Sequence, residues 1–175
     1  GCIVTNDDEL ADKFRVFRNY GSRIRYQNEI VGANSRLDEL QAAFLSAKLP
    51  HLERMNVERR RIAQMYLEGI SNDAVVLPYI LPETVPVWHI FGIRCSRRDA
   101  LEAHLNARGI ATNKHYPIAM HLQDCYKDLG IAKGELPIAE EISATQLSLP
   151  MYYGMTEEEI DKLEDYLKSW NNFVF

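Results

Sequence analysis

The chain has 175 residues, 46% of them hydrophobic and 26% charged, which is ordinary globular composition and enough for one good core or two small ones. Twenty Lys and Arg against twenty-five Asp and Glu give a net charge of −5, which argues against affinity of the whole chain for nucleic acid. No apolar run approaches the roughly 20 residues that a bilayer span needs, and no charged start followed by an apolar middle marks a secretory signal. The odd, widely spaced cysteines Cys2, Cys95 and Cys125 read as reduced thiols in a cytoplasm.

Gly1-Cys2-Ile3-Val4-Thr5 reads as a short strand with no lead-in, so the sequence is expected to start inside a larger protein. Thr5, Asn6 and Asp7 offer caps for a helix whose first turn is acidic, and Leu10, Phe14 and Phe17 give it one apolar face. It should end near Gly21, which can take the left-handed cap. A polar, aromatic loop follows from residue 22 to 33. Ser35-Arg36-Leu37-Asp38-Glu39 resembles a capping box and is expected to open a long helix with a stripe of Leu37, Leu40, Phe44, Leu45, Leu49 and Leu52. Pro50 should break that helix near Leu49. The run Glu58-Arg59-Arg60-Arg61 continues helically and reads as a solvated face.

After residue 71 the pattern changes. Residues 75–78 and 88–94 are strand-like, separated by a Pro-rich loop. Residues 98–108 fit a helix, 110–112 a short strand, 115–134 an irregular segment, 138–146 a helix and 147–150 a strand. Thr156-Glu157-Glu158-Glu159 is a full capping box for a last helix with Ile160, Leu163, Leu167 and Trp170 on its core stripe. The fold class is therefore α/β: strand, helix, loop and long helix over residues 1–71, and a small α/β layer over residues 72–175.

Two places could carry chemistry. If a helix begins at Ser35, its backbone N–H groups, the Asn34 amide and the Arg36 fork make an anion site; the plainer reading is that Asn34 and Ser35 cap and Arg36 is surface. His115, Tyr116 and His121 lie on an irregular segment after a strand, as binding loops often do. His121 and Cys125 also have the i, i+4 spacing of helical metal ligands, but no second tight Cys/His pair accompanies them. Packed or surface histidines are the third possibility, and His89 reads as a buried histidine satisfied by a backbone carbonyl.

Several segments together resemble the DegT/StrS family of pyridoxal-phosphate-dependent nucleotide-sugar aminotransferases. They are the opening Gly-Cys-Ile-Val-Thr-Asn-Asp-Asp-Glu-Leu-Ala, Arg18-Asn19-Tyr20-Gly21-Ser22, Gly32-Ala33-Asn34-Ser35-Arg36-Leu37-Asp38-Glu39, Trp88-His89-Ile90-Phe91, His115-Tyr116-Pro117, His121-Leu122-Gln123 and Leu147-Ser148-Leu149-Pro150. The resemblance implies a dimeric fold type I transferase. Residues 1–71 would be the end of its large cofactor domain and residues 72–175 its small C-terminal α/β domain. It further implies a homodimer in which Asn34 reaches the cofactor phosphate of the other subunit, with Arg36 beside it. His115, Tyr116, His121, Tyr20 and Ser22 would border the sugar. The implied reaction moves an amino group from glutamate to a nucleotide-linked keto-deoxyhexose, 3-keto favoured over 4-keto. The family lysine that forms the Schiff base falls upstream of the segment matching Gly1, so no catalytic lysine is expected in this chain, Lys114 included, and the chain alone is expected to be inactive. No metal, nucleic acid or membrane partner is implied. The alternative is a sugar-binding or assembly module without catalysis.

Overall fold

The computed structural model describes residues 2–170. They form two compact units that divide between His51 and Leu52.

In the first unit, helix α1 spans Asp8–Phe17, and the Asp7 carboxylate accepts the Leu10 N–H at its N-terminus. Residues 2–5 form no strand. The expected strand had only its own β-branched residues in its favour, and a strand exists only when paired; Gly1 lies outside the described residues. Gly21 takes φ +73° after α1 and leads into a small hairpin of β1 (Ser22–Ile24) and β2 (Gln27–Asn28). Helix α2 (Glu39–Lys48) begins three residues beyond Arg36. The ladder 33–35 runs beside 17–20 instead: Ala33 N–H donates to Phe17 O, Tyr20 N–H to Ala33 O and Ser35 N–H to Arg18 O. Those tertiary bonds draw Ser35 into an extended segment, so no helix mouth exists at Asn34–Arg36 and Asp38 takes the N-cap position.

Pro50 acts as expected, with a short 3-10 turn (Leu49–His51) separating α2 from α3 (Leu52–Gly69). The apolar stripe before it does not become core. Leu37, Leu40, Phe44, Leu45, Leu49 and Leu52 are all exposed, as are Leu10 and Phe17, and Val16 is the buried residue of α1.

The second unit holds the main core. Its sheet pairs β3 (Phe91–Arg94) with β4 (Gln146–Leu149) in antiparallel register, Phe91 opposite Leu149 and Ile93 opposite Leu147. Val76 bridges to Arg94 on one edge and Asn113 to Ser148 on the other, so the expected strand at 75–78 shrinks to a single bridge, while the one at 110–112 does not form and the bridge falls just beyond it. The strand expected from Trp88 starts at Phe91, because Trp88 turns the chain at φ +51°. Helices α4 (Arg98–Asn106), α5 (Pro137–Thr145) and α6 (Glu157–Lys168) complete the unit. The capping box at Thr156 and Glu159 forms in full, and Ile160, Leu163, Leu167 and Trp170 are buried as their spacing predicts.

Helix α3 packs here. Ile62, Ala63, Tyr66 and Ile70 join Phe91, Ile93, Leu101, Leu105, Leu147, Ile160 and Leu163 in one cluster. The packing boundary is therefore at 51/52, not near 71 where composition changes, because Pro50 divides the helical stretch and the far half carries the buried face. Polar groups tie its ends down. Tyr66 Oη donates to Pro150 O at 2.9 Å, and Arg59 Nη1 donates to both Trp88 O (3.1 Å) and Met151 O (2.9 Å). Among the described residues no helix is long and apolar enough to cross a membrane.

Candidate functional site

The alternation of β4 builds the first half of the site. Leu147 and Leu149 enter the core, so Gln146 and Ser148 share the opposite face, where both remain buried. Residue 113 runs along the free edge of β4 through reciprocal Asn113–Ser148 backbone bonds, which delivers His115 to that face. The His115 backbone N–H donates to Gln146 Oε1 (2.9 Å), and its ring Nδ1 lies 2.8 Å from Ser148 Oγ. Gln146 Nε2 donates to the same Ser148 oxygen at 2.7 Å. The Tyr116 ring stands edge-on to the His115 ring, centroids 5.6 Å apart, and is 65% exposed.

Tyr116 also lines a cavity of about 530 Å³ with Ile118, Met120, His121, Tyr126 and Ile142. His121 is only 8% exposed. Its Nε2 meets Glu140 Oε1 at 3.1 Å, and that oxygen also accepts the Gly134 N–H at 2.7 Å. The Glu140 carboxyl is held below its ordinary range, first by the Gly134 N–H and then by His121. An apolar cavity with a few fixed polar groups is the usual form of a small-molecule site.

The structure thus brings His115, Tyr116 and His121 together. Tyr20, Ser22, Asn34 and Arg36 lie in the first unit. There Arg36 Nε donates to Asn34 Oδ1 (3.3 Å), and the guanidinium sits 5.5 Å from the centre of the Tyr20 ring. Tyr20 takes φ +58° and lines a shallow depression with Asn28, Glu29 and Gly32. Ser22 is buried in β1. Asn34 and Arg36 are exposed, and without the helix mouth their anion-binding capacity rests on side chains alone: the Asn34 Nδ2 donors and the remaining Arg36 N–H groups. That donor set fits a phosphate.

Lys114 does not resemble an imine-forming amine. Its Nζ lies 2.6 Å from Glu102 and 3.0 Å from Asp99, and the Glu102 bond, followed by Asp99, raises its pKa. An amine nucleophile needs the opposite shift. Among the described residues no group of three or more His, Cys, Asp or Glu side chains is gathered as metal ligands. His121 spends its Nε2 on Glu140 and His115 its Nδ1 on Ser148, while His89, expected to be buried, is exposed. Gln146 and Ser148 were missed by sequence reading, although the polar–apolar alternation of Gln-Leu-Ser-Leu was the signal that could have found them.

Residues 1–168 match the DegT/DnrJ/EryC1/StrS aminotransferase family. The chain belongs to that family. It is 43% identical to dTDP-3-amino-3,4,6-trideoxy-alpha-D-glucose transaminase of Streptomyces venezuelae over 97% of its own length and 45% of the relative's. It is 44% identical to dTDP-3-amino-3,6-dideoxy-alpha-D-galactopyranose transaminase of Aneurinibacillus thermoaerophilus, over 93% and 44%. A protein of Geobacillus stearothermophilus named pleiotropic regulatory protein is 43% identical over 96% and 47%. The crystal structure of S. venezuelae DesV superimposes with a TM-score of 0.91 at 43% identity, covering 98% of this chain and 47% of that one. The fold is accordingly that of the matching part of the fold type I sugar aminotransferases, and the chain spans slightly under half the length of the curated relatives it matches.

Proposed function

We propose that this chain is part of a pyridoxal-phosphate-dependent aminotransferase that moves an amino group from glutamate to a nucleotide-linked 3-keto-deoxyhexose. The observation that carries the reading is the gathering of Tyr116 and His121 on one cavity with His115 against Tyr116, in a chain of this family and on residues that the sequence resemblance assigns to the sugar. The 3-amino products in the relatives' names support the 3-keto preference. Residues 1–51 would belong to the large cofactor domain, and residues 52–175, with α3 in their core, would form the small domain. The exposed apolar face of α2 would be covered in a longer, homodimeric, cytoplasmic parent.

Asn34 and Arg36 would hold the cofactor phosphate of the partner subunit through amide and guanidinium N–H groups. Pyridoxal phosphate, when bound, supplies the electron sink that lets a proton leave the carbon bearing nitrogen. The Tyr116 ring would cover the sugar; Tyr20 and Ser22, in the first unit, are proposed as sugar-bordering residues from the family resemblance. Glu140 holds the His121 ring in place, so His121 acts as a fixed wall with its Nε2 already engaged. The imine-forming lysine is assigned to the part of the parent outside this chain, which by itself would not transaminate.

The reading is tested in a full-length parent. Incubation with glutamate and a nucleotide 3-keto-sugar should yield the 3-amino sugar by mass spectrometry, and failure with that substrate but turnover of the 4-keto isomer would overturn the preference. Asn34→Ala should weaken cofactor retention on gel filtration; unchanged retention overturns its assignment. A second reading is a sugar-binding or assembly module without catalysis, and one relative carries the name of a regulatory protein rather than of a transaminase. Sugar-nucleotide binding by the parent with no amino transfer would decide for it.

A further inference from the structure

We infer that His115 is held as the neutral tautomer with its proton on Nδ1, so that it meets its ligand at Nε2 as a hydrogen-bond acceptor. The Lys114 N–H decides the tautomer through Asn113, because a backbone N–H can only donate; the Gln146–Ser148 side is compatible with it, a hydroxyl being able to donate or accept. The His115 N–H takes Gln146 Oε1 as acceptor (2.9 Å), which orients that amide and leaves its NH2 toward Ser148 Oγ (2.7 Å). The Lys114 N–H takes Asn113 Oδ1 (2.8 Å), which orients the second amide and leaves its NH2 against His115 Nε2 (3.2 Å). An amide NH2 has no lone pair to offer, so the ring nitrogen facing it must carry one. The ring proton is therefore on Nδ1, donated to Ser148 Oγ at 2.8 Å. Ser148 oxygen receives two donors, one for each of its lone pairs.

The two sides of the ring differ in permanence. Gln146 and Ser148 are buried on the face of β4 opposite Leu147 and Leu149, whereas Asn113 is exposed and can yield its place. With the proton kept on Nδ1, whatever replaces Asn113 at Nε2 must donate. A sugar hydroxyl qualifies; a ketone oxygen or a phosphate oxygen does not. The ligand part of this inference rests on the proposed sugar loop. It sets a hydroxyl of the hexose, not its reacting carbonyl or its diphosphate, against His115. Gln146 and Ser148 are then positioning residues that act through His115.

The test is a long-range proton–nitrogen correlation spectrum of the histidine rings in the nitrogen-15-labelled chain at neutral pH. His115 should show the Nδ1–H pattern, and Asn113→Asp, which sets an acceptor against Nε2 in place of the NH2, should put a proton there; Ser148→Ala should shift the Nδ1 resonance and Ser148→Thr, which keeps the hydroxyl, should restore it. An Nε2–H or doubly protonated ring in the wild type overturns the inference, as does an Nε2 that stays unprotonated in Asn113→Asp. In the full-length holoenzyme, dTDP-glucose should shift the Nε2 resonance while Nδ1–H persists, and inorganic phosphate should leave it in place. A ligand-bound ring that becomes protonated at Nε2 overturns the acceptor role. A His115 signal unmoved by saturating dTDP-glucose, with Nδ1–H intact, instead overturns the sugar-loop reading and leaves the tautomer standing.

Discussion

His121 Nε2 and Glu140 Oε1 meet at 3.1 Å with both side chains sheltered, and the same carboxylate oxygen takes the Gly134 N–H. The pair joins the 3-10 turn Met120–Leu122 to the first turn of α5 and shapes one wall of the cavity. Glu140 titrates below its ordinary value in the folded chain, chiefly through Gly134 and then His121. A carboxylate of that kind adds stability above its unfolded pKa, near 4.5, and the contribution vanishes as pH falls through the lower folded value. Glu140→Gln should therefore flatten the fall of the unfolding midpoint below about pH 4.5 while lowering stability at neutral pH. Denaturant titrations of both proteins across that range check this; parallel pH curves would remove Glu140 from the account.

Glu164 on α6 behaves oppositely. It is 7% exposed, burial raises its pKa, and the Lys168 ammonium is 3.9 Å away. The raised carboxyl costs nothing below its unfolded pKa, and its penalty grows as pH rises toward the folded value and then stays level. The carboxylate also fills the space beside Gly69 at the end of α3, where a Cβ would strike it. Gly69→Ala alone should be neutral or destabilising. Combined with Glu164→Ala it should recover the helix propensity of alanine, about 0.5–1 kcal/mol relative to Gly69 in the same background. A double-mutant cycle by chemical denaturation reads the coupling, and strict additivity would contradict it.

Core and exposed aromatics should separate cleanly. Phe91→Ala removes a ring with no exposure that packs 5.0 Å from Tyr66 and 5.2 Å from Trp88, and should cost about 3–5 kcal/mol. Phe44 on α2 is 60% exposed, so Phe44→Ser in the isolated chain should change stability by about 0.5 kcal/mol or less while reducing self-association. Equilibrium unfolding and sedimentation measure the two effects. A loss above about 2 kcal/mol from Phe44→Ser would mean that α2 is packed in solution.

Gly21 holds φ +73°, and a Cβ there would collide with the carbonyl oxygen of Ile30. The left-handed conformation alone costs an ordinary residue about 1–2 kcal/mol, and backbone atoms cannot swing aside as a flexible side chain can. Gly21→Ala should open the contact in which Glu29 and Ile30 N–H groups reach Gly21 O. Hydrogen exchange should accelerate at Glu29 and Ala33, with Leu147 unchanged.

Legibility in the sequence followed the range of the forces involved. The last helix was readable because its capping box and core stripe lie within one element, as was the break at Pro50. The start of α2 was not. Ser35 carried a local capping signal, but its N–H is committed to Arg18 O, a tertiary bond that spacing cannot reveal. The stripe from Leu37 to Leu52 shows that a face is apolar and is silent on what covers it. The histidine loop was legible as an irregular segment following a strand. The partners that orient it were not, since Gln146 and Ser148 reach His115 only once β4 is formed and Asn113 is bridged to its edge.

Arg59 links carbonyls at Trp88 and Met151, and α3 packs on α6, so the beginning and end of the second unit close on each other. During synthesis the N-terminal half of that core must wait on the ribosome with Ile62 and Tyr66 unshielded until α6 has emerged. Translation pauses or stop codons before Glu157 would therefore release a sticky intermediate, and holdase chaperones would find their binding surface on α3.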